Sequence, residues 1–318
     1  MIAVITGCAG FIGINFTKRL LEENWLIYGI DKLTYAANTQ EIINLKNKYP
    51  TTFKFVEEDI TEITWLPEAD VIFNFAAESD VDNSNYNCSN FIHSNIKGVQ
   101  NLLQLVSSRI VIKSDKPLFF QISTDEVYGD IEKGYFSENS SLNPSNPYAA
   151  TKASADLLIQ SWAKTHGLEY IIVRPSNNYG FYQYPEKLIP LSVKRLMRGK
   201  KIKLHNKGLP IRTWTHVEDT INGIQHIYRF GNSNSIFNIS SEFEQSNIDT
   251  INQIVKSYLG YNPSYIEDYI DNNYERAGQD VRYAISCEPL KALGWKANKV
   301  FSTEIGDTVK HYKERFVW

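Results

Sequence analysis

The sequence predicts an α/β protein built on a doubly wound parallel sheet with a smaller, mixed α/β substrate-binding cap, and three stretches carry that prediction. Residues 2–5 are an apolar run that enters Thr6-Gly7-Cys8-Ala9-Gly10-Phe11-Ile12-Gly13, after which Ile12, Phe16 and Leu20 recur with a helical period. Residues 26–30 form a second short run and end at Asp31. Residues 118–122 form a third and end in Ser123-Thr124-Asp125-Glu126. Runs this short, bounded by turn signals, suit strands buried on both faces of a parallel sheet. Ligands of such sheets bind beyond the carboxyl ends of the strands.

With 318 residues the chain is long enough for a main domain and a smaller one, and its 42% hydrophobic and 22% charged composition argues against disorder. Nineteen Tyr and sixteen Phe point to packed, aromatic-lined pockets. A formal net charge of −3 leaves no basic footprint for nucleic acid or an anionic membrane. No apolar run reaches membrane-spanning length, and residues 1–6 are too short for a signal peptide, so a cytoplasmic protein is expected. Cys8, Cys88 and Cys287 are odd in number and far apart, and the six His form no HxxxH or HxH pair. Neither a disulfide framework nor a metal site is indicated, and a reducing compartment fits.

Taken in order, the first unit is strand, glycine turn, helix. Gly7, Gly10 and Gly13 let the backbone turn sharply and approach a pyrophosphate, whose charge the free N–H groups at Phe11 and Ile12 favour. The spacing is GxxGxxG, which alone can be merely a tight turn. The second strand supplies the context, because the Asp31 carboxylate can hold a ribose diol and repel a 2′-phosphate, favouring NAD over NADP. Lys32, next to it, either softens that preference or is a solvated strand-end lysine.

Strands over 53–56 and 71–75 extend the sheet. Between them, Asp59 and Ile60 either meet an adenine or form an ordinary loop. Ala76 and Ala77 are small enough for close approach of a flat cofactor. Residues 87–106 have helical periodicity through Phe91, Ile96, Val99, Leu102 and Leu103. Asn95, polar among them, is either a hydrogen-bonded helix residue or a support for the active site.

After Glu126, Asn146 reads as an N-cap and Pro147 as the first residue of a helix that Gly167 closes. Tyr148 and Lys152 are four apart and share a helical face, where an ammonium near the phenol lowers its pKa and holds a nicotinamide ribose. Tyr28 and Lys32 repeat the spacing on a strand, where i and i+4 share no helical face, so that copy is chance. Asp125 and Glu126 add two carboxyl groups whose pKa values a partly dry cleft can push apart into an acid and a base.

Beyond residue 177 the pattern is less regular. Tyr179, Phe181, Tyr182 and Tyr184 either stack on a base or fill a small core, and core is the simpler reading. Residues 216–227 and 236–239 read as a helix and a strand returning to the first domain. Residues 249–258 and 303–315 read as cap helices. The expected division is 1–176 with 214–240 for the dinucleotide, and 177–213 with 241–318 for the substrate.

These motifs, TGCAGFIG, DKLTYAAN, NFAAES, ISTDEVYGD, YAATK, SNNYG, YPEKLIP, IRTW with VED, and GWK, resemble the extended short-chain dehydrogenase/reductases. Among them the chain is similar to the nucleotide-sugar 4,6-dehydratases of the dTDP-glucose type. The resemblance implies a Rossmann fold, bound NAD, and conversion of dTDP- or UDP-glucose to its 4-keto-6-deoxy derivative, an early step toward rhamnose-type deoxysugars.

By motif it assigns Tyr148, with Thr124, to the sugar 4-hydroxyl, Glu126 to the C5 proton and Asp125 to the departing 6-hydroxyl, with Lys152 beside the cofactor. It adds Ser123, Asn95 and Asn177 to the NAD contacts. Ser79, Thr124, Asn177, Lys187, Arg212, Asn247 and Arg276 surround the nucleotide sugar, and a homodimer joins through the helices at 87–106 and 147–166. Two departures stand out. The family's ESHVDRS reads Glu78-Ser79-Asp80-Val81-Asp82-Asn83-Ser84, and RPGHDRRY reads with Gln279 in place of its His, which weakens a choice of thymidine over uridine. The alternatives are an epimerase of the same fold, which needs no elimination pair, and a noncatalytic NAD-sensing protein.

Overall fold

A computed structural model describes residues 1–111, 117–274 and 280–315. The chain runs β1 (Ile2–Thr6), α1 (Phe11–Glu22), β2 (Leu26–Asp31), α2 (Thr39–Lys48), β3 (Phe53–Glu57), β4 (Val71–Asn74) and α3 (Val81–Tyr86). It continues with α4 (Ser89–Phe91), α5 (Gly98–Val111), β5 (Leu118–Ile122), α6 (Pro147–His166), β6 (Tyr170–Pro175) and β7 (Asn177–Tyr179). The remainder is α7 (Leu188–Met197), β8 (Ile202–His205), β9 (Ile211–His216), α8 (Val217–Phe230), β10 (Ser235–Ile239), β11 (Glu244–Ser246), α9 (Asn247–Leu259), β12 (Ile270–Tyr274), α10 (Glu288–Ala292) and α11 (Phe301–Arg315).

Seven parallel strands form the main sheet in the order β10-β6-β5-β4-β1-β2-β3. The chain winds outward from β1 through β2 and β3, then crosses back to β4 on the other side of β1. That reversal opens a crevice at the carboxyl ends of β1 and β4, the usual ligand position in a doubly wound sheet. Helix α1 buries Ile14, Phe16 and Leu20 on one face of the sheet together with Ile221 and Ile224 of α8. The other face is covered by α5, through Val99, Leu102 and Leu103, and by α6, through Ala155 and Ile159. Completely buried strand residues such as Ala3, Ile5, Ile72, Phe73 and Phe120 explain why the strands read as continuous apolar runs.

A third core lies in the smaller layer, where β11-β9-β7 and β12-β8 pack with α7, α9 and α11 around Tyr179, Trp214, Ile254 and Val309. The chain returns to the main sheet where β10 pairs with β6 and α8 packs on α1, fastened by an Arg19–Glu218 ion pair. One C-terminal piece behaves differently from the expected division. Cys287, Leu290 and Trp295 are buried in the core of the main layer rather than in the cap.

The expected helix over 87–106 is broken into α4, a π-turn at Ile92–Lys97, and α5. Its widened turn turns Asn95 inward, where the amide bonds both the N–H and the C=O of Glu78 and the Thr151 hydroxyl. Such insertions recur at functional sites. The four aromatics after residue 177 divide their roles. Tyr179 is buried in the cap core, Phe181 stacks on His311 at 4.4 Å, Tyr182 accepts a hydrogen bond from Lys18, and Tyr184 meets Tyr35 edge-on. Among the described residues no helix is long and apolar enough to cross a membrane.

Candidate active site

The crevice beside β1 is a cleft of about 600 Å³ lined by Gly7, Gly10, Asp31, Lys32, Asp59, Ile60, Ala76 and Ala77. Gly7 holds a φ of +67°, and a Cβ there would lie 2.5 Å from the backbone nitrogen of Ala76. A Cβ at Gly13 would lie 2.1 Å from the Gly7 carbonyl oxygen, so α1 can start this close to the turn only with glycine at that position. Phe11 and Ile12 open α1 just beyond Gly10, with no side chain capping the helix, so its first N–H groups face the turn.

Asp31 accepts from the Ala9 and Leu33 backbone N–H groups, both at 2.9 Å, which fixes its carboxylate at the end of β2. Burial raises its pKa and those two bonds oppose the rise. Lys32 is not a free strand-end charge, because its ammonium lies 3.1 Å from Asp59 and 3.2 Å from the Ser94 hydroxyl. Burial works against the ionised Asp59, but bonds from Thr61 and the Lys32 charge hold its carboxyl below the usual range. Glycines at a helix start, a strand-end carboxylate and small residues at the next strand end together fit a dinucleotide.

The reacting groups gather at the end of β5. Thr124 is the N-cap of a 3₁₀ turn, Asp125–Tyr128, and its hydroxyl lies 3.2 Å from Asp125 Oδ1. Asp125 is 2% exposed and its second oxygen has no partner among the described residues. Burial, then the neighbouring Glu126 charge, pushes its pKa up to about 8. Burial also raises Glu126, but Asn146 donates to its Oε2 at 3.0 Å and Lys187 and Arg212 add positive charge. Both adjacent carboxyls are raised, but their surroundings differ: Asp125 Oδ2 has no partner among the described residues, whereas Glu126 accepts from an amide and feels the charges of Lys187 and Arg212.

Asn146 caps α6 through Ala149 N–H, and the first turns of α6 then present Tyr148 and Lys152, both buried. Lys152 donates to the Ile122 carbonyl at 2.6 Å, and burial lowers its pKa to about 8 against the charge of Asp156. The phenol of Tyr148 is moved the other way from the simple helical-face argument. Burial and the Glu126 charge push it up, and only the Thr124 hydroxyl bond is opposed to them. Burial is the largest influence, and the lysine ammonium is turned to the Ile122 carbonyl at the strand end. Ser123, on the same strand end, donates to Asp156 at 3.1 Å.

A second recess of about 740 Å³ faces the cap and shares Glu126 and Asn146 with the first group of residues. Asn177, Lys187 and Arg212 line it from the cap side. Lys187 donates to the Ser79 carbonyl at 2.6 Å, which ties the cap to the loop after β4. Arg212 lies over the Tyr283 ring at 4.6 Å. Asn247 begins α9 outside the lining of both recesses, its Oδ1 buried and without a partner among the described residues. Arg276 and Gln279 lie outside the described residues. Asp80, at the position of the family's His, caps α3 by accepting from Asn83 N–H at 2.8 Å. Asp280 and Tyr283, hydrogen-bonded to each other on the recess wall, were not singled out in the sequence, and neither were Asp156 and Arg174 beneath it. Asp156 stands one further helical step from Lys152, the only signal that pointed to it.

Residues 4–308 match the family model described as GDP-mannose 4,6 dehydratase. The chain belongs to the nucleotide-sugar 4,6-dehydratase family. The low-salt glycan biosynthesis protein Agl12 of Haloferax volcanii is 39% identical over 317 residues, covering 98% of each chain. The dTDP-glucose 4,6-dehydratase of Mycolicibacterium smegmatis is 35% identical over 326 residues, covering 99% of this chain and 94% of its own. Among solved structures, the dTDP-glucose 4,6-dehydratase DesIV of Streptomyces venezuelae, determined with NAD bound, superposes with a TM-score of 0.91 at 34% identity, covering 99% of this chain and 98% of its own.

Proposed function

We propose that this enzyme is an NAD-dependent hydro-lyase that converts dTDP-glucose or UDP-glucose to the 4-keto-6-deoxy sugar and water, with the cofactor retained through turnover. The observation that carries this reading is the adjacent Asp125 and Glu126 at the β5 end, one carboxyl pushed to about 8 and the other hydrogen-bonded by Asn146, beside the Tyr148–Lys152 face of α6. An oxidation alone needs only the second pair. When bound, NAD supplies the acceptor for the C4 hydride, the donor that returns it to C6, and the positive charge of its oxidised ring. Relatives named as dTDP-glucose 4,6-dehydratases support the thymidine nucleotide, while the uridine alternative rests on the departure at Gln279.

The residues divide the work as follows. Thr124 and Tyr148 hold the 4-hydroxyl. Tyr148, raised in pKa by burial and the Glu126 charge, would react as the phenolate, which the positive charge of the oxidised cofactor would favour. The 4-hydroxyl proton passes to that phenolate as C4 becomes a ketone. The ketone acidifies C5–H, and Glu126 takes that proton. The electron pair left at C5 forms the C5–C6 double bond while the C6–O bond breaks, and Asp125 gives its proton to the departing oxygen, releasing water. Reduction at C6 is completed by return of a proton from Glu126 to C5, and Tyr148 returns its proton to the oxygen at C4 only if the ketone is reduced, which this reaction omits. A proton on Tyr148 and a vacancy on Asp125 therefore remain to be exchanged, and together they restore the starting state.

Residues 1–176 with 214–240 serve the cofactor in this reading and the remaining segments serve the nucleotide sugar, with Asn177, Lys187, Arg212, Asn247 and Arg276 toward the diphosphate and base. The homodimer is part of the same proposal. Ile92 and Leu157, 47% and 58% exposed on the two expected interface helices, support it. The end use is synthesis of rhamnose-type deoxysugars. Purified protein incubated with dTDP-glucose and, separately, UDP-glucose tests the reading by mass spectrometry. Loss of one water with transfer of hydrogen from C4 to C6 is the expected result. Unchanged sugars after addition of NAD would refute it. An epimerase is disfavoured by the elimination pair and would give an isomer of unchanged mass.

A further inference from the structure

Asn146 serves two elements at once. Its Oδ1 accepts from Ala149 N–H at 2.9 Å, capping the helix that carries Tyr148 and Lys152, and its Nδ2 donates to Glu126 Oε2 at 3.0 Å. The side chain is 9% exposed and lines the cap-side recess together with Glu126. Capping by itself does not require asparagine, since serine, threonine and aspartate cap as well. The second bond does. A serine hydroxyl that caps the helix is too short to reach the carboxylate as well, and aspartate has no donor to offer it and adds a like charge.

We propose that Asn146 is a positioning residue that fixes the Glu126 carboxylate for removal of the C5 proton and locks the acid/base turn to the start of α6. The elimination pair and the Tyr148–Lys152 pair are thereby held in one frame, although twenty residues separate Glu126 from Asn146 in the chain. The proposal rests on the dehydratase reading and adds to it the residue that makes Glu126 a competent base.

The surroundings of Glu126 define what the bond contributes. Asp125 faces it from its own turn, Tyr148 from α6, and Lys187, Arg212, Asp280 and Tyr283 from the cap. Burial is the largest influence and favours the neutral acid, as does the Asp280 charge. The Asn146 bond is the largest opposing influence, ahead of Lys187 and Arg212. Removing it shifts the balance toward the protonated acid, which cannot act as a base.

Two variants remove the bridge while a cap is kept. Asn146→Ser keeps the cap and loses the bridge, and Asn146→Asp keeps the cap and sets a carboxylate against Glu126. Both are followed in single turnover with dTDP-glucose by the absorbance of the reduced nicotinamide, which rises on C4 oxidation and falls on C6 reduction. Asn146→Ser is expected to form the reduced cofactor within about twofold of the parent rate and to slow its decay by about tenfold or more, the scale of one hydrogen bond to a charged group. The acidic limb of the kcat/KM profile moves up by about one pH unit, and further in Asn146→Asp. Parent-like decay and an unmoved limb in both variants would overturn the proposal, as would equal slowing of both phases, the mark of a general disturbance of the start of α6 rather than of a loss at Glu126. A substrate-free arm follows the Glu126 carboxyl by isotope-edited infrared titration. Its pKa should rise in Asn146→Ser, and an unchanged value would overturn the proposal. If the parent protein forms no reduced cofactor with either sugar, the dehydratase reading fails, while the titration still decides the role of Asn146.

Discussion

Arg174 and Asp156 are paired at 3.0 Å, Nε to Oδ2, with both side chains almost wholly out of water beneath the reacting groups. Arg174 also donates to the Tyr128 hydroxyl at 2.8 Å, and Tyr128 donates to Asn238 at 2.9 Å. The chain of contacts joins α6, β6, the turn after β5 and β10. Asp156 lies one helical step from Lys152 and accepts from Ser123, so the same network supports the floor of the site. Buried ionic networks of this kind are costly when half removed.

Arg174→Met should therefore destabilise the protein by about 3–5 kcal/mol, because Asp156 is left buried without its partner. The double variant Arg174→Met with Asp156→Leu should recover a large part of that loss. Denaturant unfolding of the three proteins measures it. Equal stability of the parent and Arg174→Met would show that the pair carries no such burden.

The pH dependence follows from two groups. Asp125, raised to about 8, is protonated and able to donate below that pH, and Lys152, lowered to about 8, keeps its charge below it. Both useful forms are lost as pH rises, so kcat/KM of the free enzyme should fall above about pH 8. Asp125→Asn should lower the rate by about 10²- to 10⁴-fold and leave an alkaline limb that belongs to Lys152. A flat profile through this range would contradict the assignment.

Glu126→Gln should split the reaction. Oxidation at C4 needs Thr124 and Tyr148, whereas elimination needs the carboxylate, so reduced nicotinamide should accumulate while dehydration falls by about 10²- to 10⁴-fold. Stopped-flow absorbance and product analysis read the two steps separately. Unimpaired dehydration would remove Glu126 from its role.

Asp31→Ala removes the acceptor of two backbone N–H groups and the carboxylate that faces a ribose diol. NAD affinity should fall by about 10- to 100-fold, the scale of hydrogen bonds to a charged group, and the preference over NADP should narrow. Calorimetric titration with both cofactors gives the ratio. An unchanged ratio would place nucleotide discrimination elsewhere, with Lys32 and Asp59 the next groups to test.

Much of this molecule is determined by the sequence alone, because the information is local. Buried parallel strands are short apolar runs, so β1, β2, β4 and β5 lie within a residue of their expected bounds. The glycine turn is a backbone requirement, and asparagine followed by proline starts α6 where it is expected. The fourfold spacing then places Tyr148 and Lys152 on one face, and the strand end places Thr124, Asp125 and Glu126 nearby.

Tertiary structure decided what depends on partners far away in the chain. The π-turn that breaks the helix over 87–106 exists where Asn95 reaches Glu78 and Thr151. The upward shift of the Tyr148 pKa reflects burial and the Glu126 charge, neither of which a helical spacing contains. The second bond of Asn146 and the pairing of Asp156 with Arg174 likewise form only when separate elements meet. Local sequence sets which groups a strand end or helix start can offer. Desolvation and the identity of the facing group, fixed by packing, set the charge each one carries and what it can do.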